Sequence, residues 1–329
     1  MTPRAGVLNC WAMTLSSREV DLFEGSRGRL EAIAYRLLGS AADAEDAVQD
    51  TFLRWQAADR EHIETPEAWL TKVLTNLCLN QLTSARSRRE TYVGQWLPEP
   101  VLAGDRMLGP AETAEQREQV SIAVLTLMER LSANERAVYV LREAFGYPHG
   151  EIAQILDVTE TNCQQIYRRA KQHLGTDRTR VEIDAAAAGK IVEEFLAAAR
   201  SGDTEPLVRL LTDDAVNVAD GGGQVPARGT PIIGALAVAR FLRGVFTLTD
   251  AKRALYRSLV GGDFAVYAAV VNGGPAALVV TVDRVVGVMS LDVTSGGVAA
   301  IHVQVNPDKL DRITRQWVAS ERGEPLGID

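Results

Sequence analysis

The run LSANERAVYVLREAFGYPHGEIAQILDVTETNCQQIYRRAKQHL, from Leu131 to Leu174, restricts the fold of this chain more than any other stretch. Its apolar spacing predicts three short helices separated by two breaks. Val138, Val140 and Leu141 mark the first helix, Phe145-Gly146-Tyr147-Pro148 interrupts it, and Ile152, Ala153 and Leu156 line the second. Asp157-Val158 makes a tight turn. Thr159 then offers a hydroxyl cap for the third helix, and Glu160 puts negative charge near its positive end. A helix-turn-helix needs this layout: a buried seam that fixes the interhelical angle, then a helix whose first residues meet base edges. Those residues here are Thr159, Thr161, Asn162 and Gln165. Arg168, Arg169 and Lys171, further along, suit phosphates and set register without reading sequence. On these residues alone, an amphipathic helical hairpin with a basic solvated edge remains the alternative.

Charge limits how such a helix can work. The 329 residues carry 35 Lys and Arg against 43 Asp and Glu, a net charge of −8. Through Thr176 there are 19 basic and 24 acidic residues, leaving 16 and 19 beyond it. Neither part holds DNA by bulk charge, so contact must come from local clusters, with a larger partner supplying affinity. Cys10, Cys78 and Cys163 are isolated, which argues against a disulfide scaffold or a zinc site, and no metal or cofactor is expected. No apolar run has transmembrane length and the first residues lack a signal-peptide stretch, so a cytoplasmic protein without membrane contact is expected.

The periodicity divides the chain into residues 1–16, disordered; 17–90, helical; 91–115, a linker; 116–176, the domain of the helix-turn-helix; 177–187, a second linker; and 188–329, a domain of different character. In the first helical domain Leu30, Ile33, Ala34, Leu37 and Leu38 form one apolar face, and Ala47, Val48, Phe52 and Trp55 continue it. Asp43, Glu45, Asp46 and Asp50 lie on and around the opposite side, either a solvated surface or a dock for a basic partner. A further helix begins at Thr65-Pro66, with Trp69, Val73 and Leu77, joined by Leu70 and Leu74, facing the core. Lys72, Asn76 and Asn80 recur every four residues and lead to Arg86, Arg88 and Arg89. Amides for unstacked bases followed by guanidiniums for phosphates are what single-strand capture requires, although a plain solvated face is the slightly favoured reading of this stripe by itself. In the linker, Trp96, Leu97 and Pro98 of WLPEP form an apolar anchor in a stiff extended segment. After Thr176, helical patterns give way to β-rich runs, ALYRSLV among them, punctuated by Gly261-Gly262, Gly273-Gly274 and Gly296-Gly297. That order indicates an α+β domain with a curved antiparallel sheet.

Taken together, these stretches resemble a bacterial RNA polymerase sigma factor of the extracytoplasmic-function class. DAEDAVQDTFLRW is similar to the family's polymerase-binding segment, which implies that Asp43, Glu45, Asp46, Asp50 and Phe52 meet the β′ clamp helices. TPEAWLTKVLTNLCLNQLTSARSRR is similar to the segment that captures the −10 element, and Leu131–Leu174 to the domain that reads the −35 element. The resemblance therefore implies two all-α domains, core RNA polymerase (β′ clamp helices and β flap) and promoter DNA as partners, and no catalysis. Asn80 stands where many relatives carry aspartate. The remainder resembles a subgroup with a C-terminal SnoaL-like domain of the NTF2-like fold that regulates the factor in cis. WLPEP, Asp220-Gly221-Gly222-Gly223 and Asn306-Pro307-Asp308-Lys309-Leu310 match that subgroup's hallmarks, and the last two are candidate loops on which the stiff linker would dock.

SnoaL-like domains include enzymes, so Asp220, Asp292 and His302 are the acid and base candidates. Asp220, ahead of three glycines, reads more simply as a turn residue that caps backbone amides. Val279, Val282, Val288, Leu291 and Val303 are the expected pocket walls, and the pocket leaves room for an unidentified small-molecule ligand. The competing reading is a ligand-sensing or catalytic SnoaL-like domain coupled to a DNA-binding repressor module.

Overall fold

The computed structural model describes residues 15–89, 92–109, 120–175, 185–320 and 323–326, without the side chains of 85–89 and 185. The expected disorder of residues 1–16 therefore falls almost wholly outside the described residues. Helix α1 (Ser17–Leu38) starts from a capping box between Ser16 and Glu19 and stops at Gly39, which is left-handed at φ 68°. Ser40 caps α2 (Ala41–Ala57), and α3 (Pro66–Arg89) follows a short 3-10 turn. The core face of α3 is set by Leu70, Leu74, Leu77 and Cys78, while Trp69 and Val73 stay half-buried at its edge.

The second helical group comprises α4 (Ile122–Met128), α5 (Ala133–Glu143), α6 (His149–Leu156) and α7 (Glu160–Leu174). Asp157 takes the left-handed conformation, φ 53°, that turns α6 into α7, and the Thr159 hydroxyl accepts from the Asn162 N–H at 3.2 Å. The expected helix-turn-helix is thus formed by the expected residues. Its core is not separate from that of α1–α3: one apolar cluster runs through Phe23, Ile33, Leu70, Val101, Val138 and Ile166.

Beyond residue 184 lie α8 (Ala185–Arg200), α9 (Glu205–Leu210), β1 (Leu211–Asp220), β2 (Ile232–Ile233), α10 (Ala235–Phe246) and α11 (Asp250–Val260). They are followed by β3 (Ala265–Val271), β4 (Gly274–Val280), β5 (Val285–Thr294), β6 (Gly297–Gln304) and α12 (Asp311–Ala319). The strand order is β2-β1-β6-β5-β4-β3. The sheet is antiparallel as expected except at β1 and β6, which run parallel with Asn217 opposite Ile301 and Asp220 opposite Gln304. A parallel pair needs a long crossover, and everything from β2 to β5 supplies it.

ALYRSLV is not a strand but the body of α11. Leu255 with Leu259 and Tyr256 with Val260 repeat every four residues, Thr249 caps the helix, and Gly261 at φ 82° ends it. Helices α8 to α10 cover one face of the sheet. On the other, Leu310, Ile313 and Trp317 pack with Val271, Leu278 and Val288. No helix among the described residues is long and apolar enough to cross a membrane.

Candidate functional site

On α7, burial of Cys163, Ile166 and Ala170 turns the opposite face outward, so Thr159, Thr161, Asn162, Gln165, Arg168, Arg169 and Lys171 are all exposed. Tyr167 packs edge-on against His149 at 5.2 Å and donates its hydroxyl to Glu143, which fixes the helix on α5 and α6. On α3, Asn80 is exposed and Asn76 half-buried. Lys72, the first member of that stripe, is engaged within the protein. Its Nζ lies 2.6 Å from Asp157 Oδ1 and 2.9 Å from the Gln154 carbonyl, at the turn of the helix-turn-helix. Thr71 and Tyr147 hydroxyls meet beside it at 3.2 Å, and the Arg29 guanidinium covers the Tyr147 ring. The side chains of Arg86, Arg88 and Arg89 lie outside the described residues.

The two helical groups also share a buried cation. Arg136 on α5 donates from Nε to the Arg36 carbonyl of α1 (3.3 Å) and from Nη1 to Glu129 (2.5 Å). Burial pushes its pKa down to about 9 and that of Arg36 to about 10.

The acidic residues Glu45, Asp46 and Asp50 are exposed on α2, with Asp43 half-buried. Phe52 is half-buried against Phe23, ring centroids 4.8 Å apart, so part of that ring belongs to the core. Arg312 of α12 reaches this face. It holds Asp105 through two bonds of 2.7 and 2.9 Å and pairs with Glu45.

The linker hallmarks meet at one place. Asp220, fully buried at the end of β1, accepts from the Leu97 N–H (2.9 Å), Lys309 Nζ (2.7 Å), the Tyr92 hydroxyl (2.6 Å) and the Gly222 N–H (3.0 Å). Both roles expected of Asp220, capping its own turn and offering the linker a dock, fall to this one carboxylate. Lys309 also donates to the Leu97 carbonyl at 2.7 Å and stacks on the Trp96 and Tyr92 rings at 4.3 and 4.9 Å. Burial first, and the Asp220 carboxylate with it, pushes the Tyr92 phenol up, so it remains a donor. Asn306 donates to the Tyr92 hydroxyl at 2.8 Å and closes over Gly222, where an added Cβ would come within 2.4 Å of its amide. Pro307, Asp308 and Leu310 belong to the same turn, and Gln224 reaches Asp308 at 2.6 Å.

The segment continues to the helical side. Glu99 accepts from Ser40 Oγ (2.7 Å) and from the Ala41 and Ala42 N–H groups (3.0 and 3.4 Å), capping α2 from outside the helix. Its own N–H bonds the Gly39 carbonyl, and its carbonyl takes the Tyr35 hydroxyl at 2.6 Å. Trp96 lies over Gly39, leaving no room for a Cβ. Val101 pairs with Asn272, whose amide also donates to Tyr35 and to the Val120 carbonyl. Glu99, Tyr92, Asn272, Gln304 and Arg312 were not singled out from the sequence. Asn272-Gly273 carries a hairpin signal; nothing in the sequence tells that its side chain serves three other segments.

The acid and base candidates all lie off the cavity wall. Asp292 and His302 sit on β5 and β6, and neither they nor Asp220 line the cavity of this domain. Val279, Val288 and Val303 do line it, whereas Leu291 is buried outside the lining and Val282 is 89% exposed in a turn. Among the described residues no group of His, Cys, Asp and Glu could hold a metal ion.

Residues 22–88 match the family model for sigma-70 region 2, and residues 121–174 that for sigma-70 region 4. The chain is 33% identical over 317 residues to the ECF RNA polymerase sigma factor SigJ of Mycobacterium tuberculosis, spanning 94% of this chain and 97% of that protein. It is 30% identical to the probable ECF RNA polymerase sigma factor SigI of the same species, over 87% of this chain and 92% of the other. The crystal structure of the M. tuberculosis extracytoplasmic function sigma factor SigJ superposes with a TM-score of 0.67 at 31% identity. That superposition covers 88% of this chain and 97% of the other.

Proposed function

We propose that this chain, which belongs to the extracytoplasmic-function family of RNA polymerase sigma factors and so binds core polymerase and promoter DNA to direct initiation, is held closed by its own C-terminal domain. Members of the family are initiation factors rather than enzymes. In this reading residues 17–90 take core polymerase and the −10 element, residues 116–176 take the −35 element and the β flap, and residues 188–329 regulate both through the linkers. Asp43, Glu45, Asp46, Asp50 and Phe52 meet the β′ clamp helices. Asn76, Asn80 and the arginines beyond them hold unstacked −10 bases and their phosphates, and the exposed face of α7 reads the −35 element.

The observation that carries the reading is the linker clamp: Asp220, Lys309 and Gln304 fasten Leu97 and Pro98, while Glu99 and Tyr35 fasten the same strand to α1 and α2. The clamp packs the two DNA readers against each other, with Lys72 bonded to Asp157 instead of phosphate and Glu45 bonded to Arg312 instead of polymerase. A promoter sets its own −35 to −10 spacing, so a bound sigma factor must exchange these contacts. Differential contacts of a few kcal/mol are enough to bias such a two-state equilibrium.

The test is transcription in vitro with core polymerase and equal amounts of the full chain, the chain cut after Asp184, and Trp96→Ala. Both altered proteins should direct more transcription than the full chain, Trp96→Ala by the smaller gain, and a fall in both would overturn the closed state. Equal activity from all three would make the C-terminal domain a passenger.

A further inference from the structure

The concave side of the β-sheet encloses a cavity of about 760 Å³ under α10 and α11, within the size range of small-molecule sites. Phe241, Tyr256, Val279, Met289 and Val303 give it apolar walls. One polar side chain departs from them. Asn217, in the middle of β1, lines the cavity and is 2% exposed, and its Nδ2 meets no hydrogen-bond acceptor among the described residues. A buried amide donor without an acceptor carries a desolvation penalty that an acceptor would remove. Helix α11 points the same way. None of its residues is buried, Leu255 and Leu259 are 54% and 48% exposed, and Tyr256, Leu259 and Val260 face the cavity instead of a core. It is an amphipathic helix whose apolar side lacks packing.

From these features we propose that the cavity binds a largely apolar small molecule presenting one hydrogen-bond acceptor, such as a carbonyl, to Asn217, and that occupancy is felt at the linker clamp. Leu310 and Thr314 form part of the cavity wall, and Lys309 and Arg312, in the same short segment, hold Leu97, Trp96 and Asp105. A ligand that packs against this wall therefore acts on the residues that fasten the linker. This second half rests on the closed-state reading above; the first does not.

The test uses the full chain and the solvatochromic ketone Prodan, followed by its blue-shifted emission. Saturable binding to one site is expected. Val279→Phe and Val303→Phe, each verified as folded by circular dichroism, should abolish it. Asn217→Leu should raise the Prodan Kd about five- to tenfold yet leave that of dimethylaminonaphthalene, which lacks the carbonyl, unchanged. Absence of saturable binding, or equal binding by the two folded Phe variants, overturns the site. An equal effect of Asn217→Leu on both probes overturns the acceptor. Because coupling is reciprocal, Trp96→Ala should shift the Prodan Kd by about threefold or more. An unchanged Kd in that variant overturns the link to the clamp while leaving the cavity as a site. Absence of Prodan binding by the unsubstituted chain, together with altered transcription by Trp96→Ala, would sink the cavity and spare the closed state.

Discussion

Helix α7 and the segment Trp96–Val101 treat their polar groups in opposite ways. The helix satisfies its backbone internally and leaves Thr161, Asn162, Gln165 and Arg168 in solvent. The linker is extended and cannot bond to itself, so the N–H groups of Leu97, Glu99 and Val101 go to Asp220, Gly39 and Asn272 in turn. Between them stand Pro98 and Pro100, which have no N–H to satisfy, and the carbonyls of Leu97 and Glu99 receive Lys309 and Tyr35. Groups in solvent are available to a ligand at once. Groups satisfied across a domain boundary hold only while that boundary holds. The exposed face of α7 is therefore open in this arrangement, while the place of the C-terminal domain on the helical groups rests in part on six residues of linker.

The largest test of that contrast is Asp220→Ala. It takes the carboxylate from beside the Lys309 ammonium, whose side chain is 10% exposed, and leaves the Leu97 N–H without that acceptor. Breaking a buried pair from one side costs about 3–5 kcal/mol. Urea unfolding of the full chain should show a loss of that order, and Asp220→Asn, which keeps the shape and one acceptor, a smaller one. A loss below about 1 kcal/mol would mean the clamp is not what orders the linker.

Substitutions on α7 should leave stability within about 0.5 kcal/mol and act on binding alone. Arg168→Ala, toward the C-terminal half of the helix, should weaken −35 duplex binding about equally on all sequences and lower the salt slope by about one. Gln165→Ala should instead cost about 1–3 kcal/mol on the preferred sequence and little on others. Titrations of holoenzyme against matched and scrambled −35 duplexes at several salt concentrations separate the two. The opposite assignment would mean that α7 enters the groove in another register.

The same contrast explains what could be read in advance. Helix α7, its cap Thr159 and the turn at Asp157 follow from local rules, because caps, left-handed turns and apolar periodicity act over a few residues. The anchor Trp96-Leu97-Pro98 was legible as something that docks, and Asp220–Gly223 and Asn306–Leu310 as its candidate docks. Glu99 and Asn272 were not, since their partners lie 58 and 171 residues away, and only the tertiary arrangement says that a glutamate caps another domain's helix. ALYRSLV was misread because its valine and tyrosine suit strands, while Thr249 and Gly261, which decide for a helix, lie outside the run. The parallel pairing of β1 with β6 escaped for the reason that long connections carry no local signature.

Glu99 also gives the linker a pH dependence of its own. Burial holds its carboxyl above the ordinary glutamate value, although the Ser40 hydroxyl and the Ala41 and Ala42 N–H groups oppose the shift. Between the unfolded value, near 4.5, and the raised folded one, the native protein binds the extra proton. Stability therefore falls as pH rises through that window, and the full penalty stands above it. Glu99→Gln, neutral throughout, should remove this contribution from the slope. Unfolding free energies of the two proteins across the window should diverge in slope and not only in offset. Parallel curves would mean that Glu99 is as well solvated docked as free.

The smallest expected effect concerns Lys72, where the open and covered surfaces touch. Its partner Asp157 is largely exposed and holds the left-handed turn between α6 and α7. Asparagine accepts that conformation, so Asp157→Asn removes the charge without breaking the helix-turn-helix. An exposed ion pair contributes about 0–1 kcal/mol, and Tyr147, Arg29 and Arg136 still join the two helical groups. Stability should thus change by less than about 1 kcal/mol. Freed from Asp157, Lys72 can turn to phosphate, and the full chain should bind a labelled single-stranded −10 oligonucleotide about two- to fivefold more tightly at low salt. The gain should shrink as salt rises, because an exposed pair is screened in both states. Unchanged anisotropy curves at low salt would mean that this pair does not cover the α3 stripe, and that the contacts of Tyr147, Arg29 and Arg136 keep the two helical groups together without it.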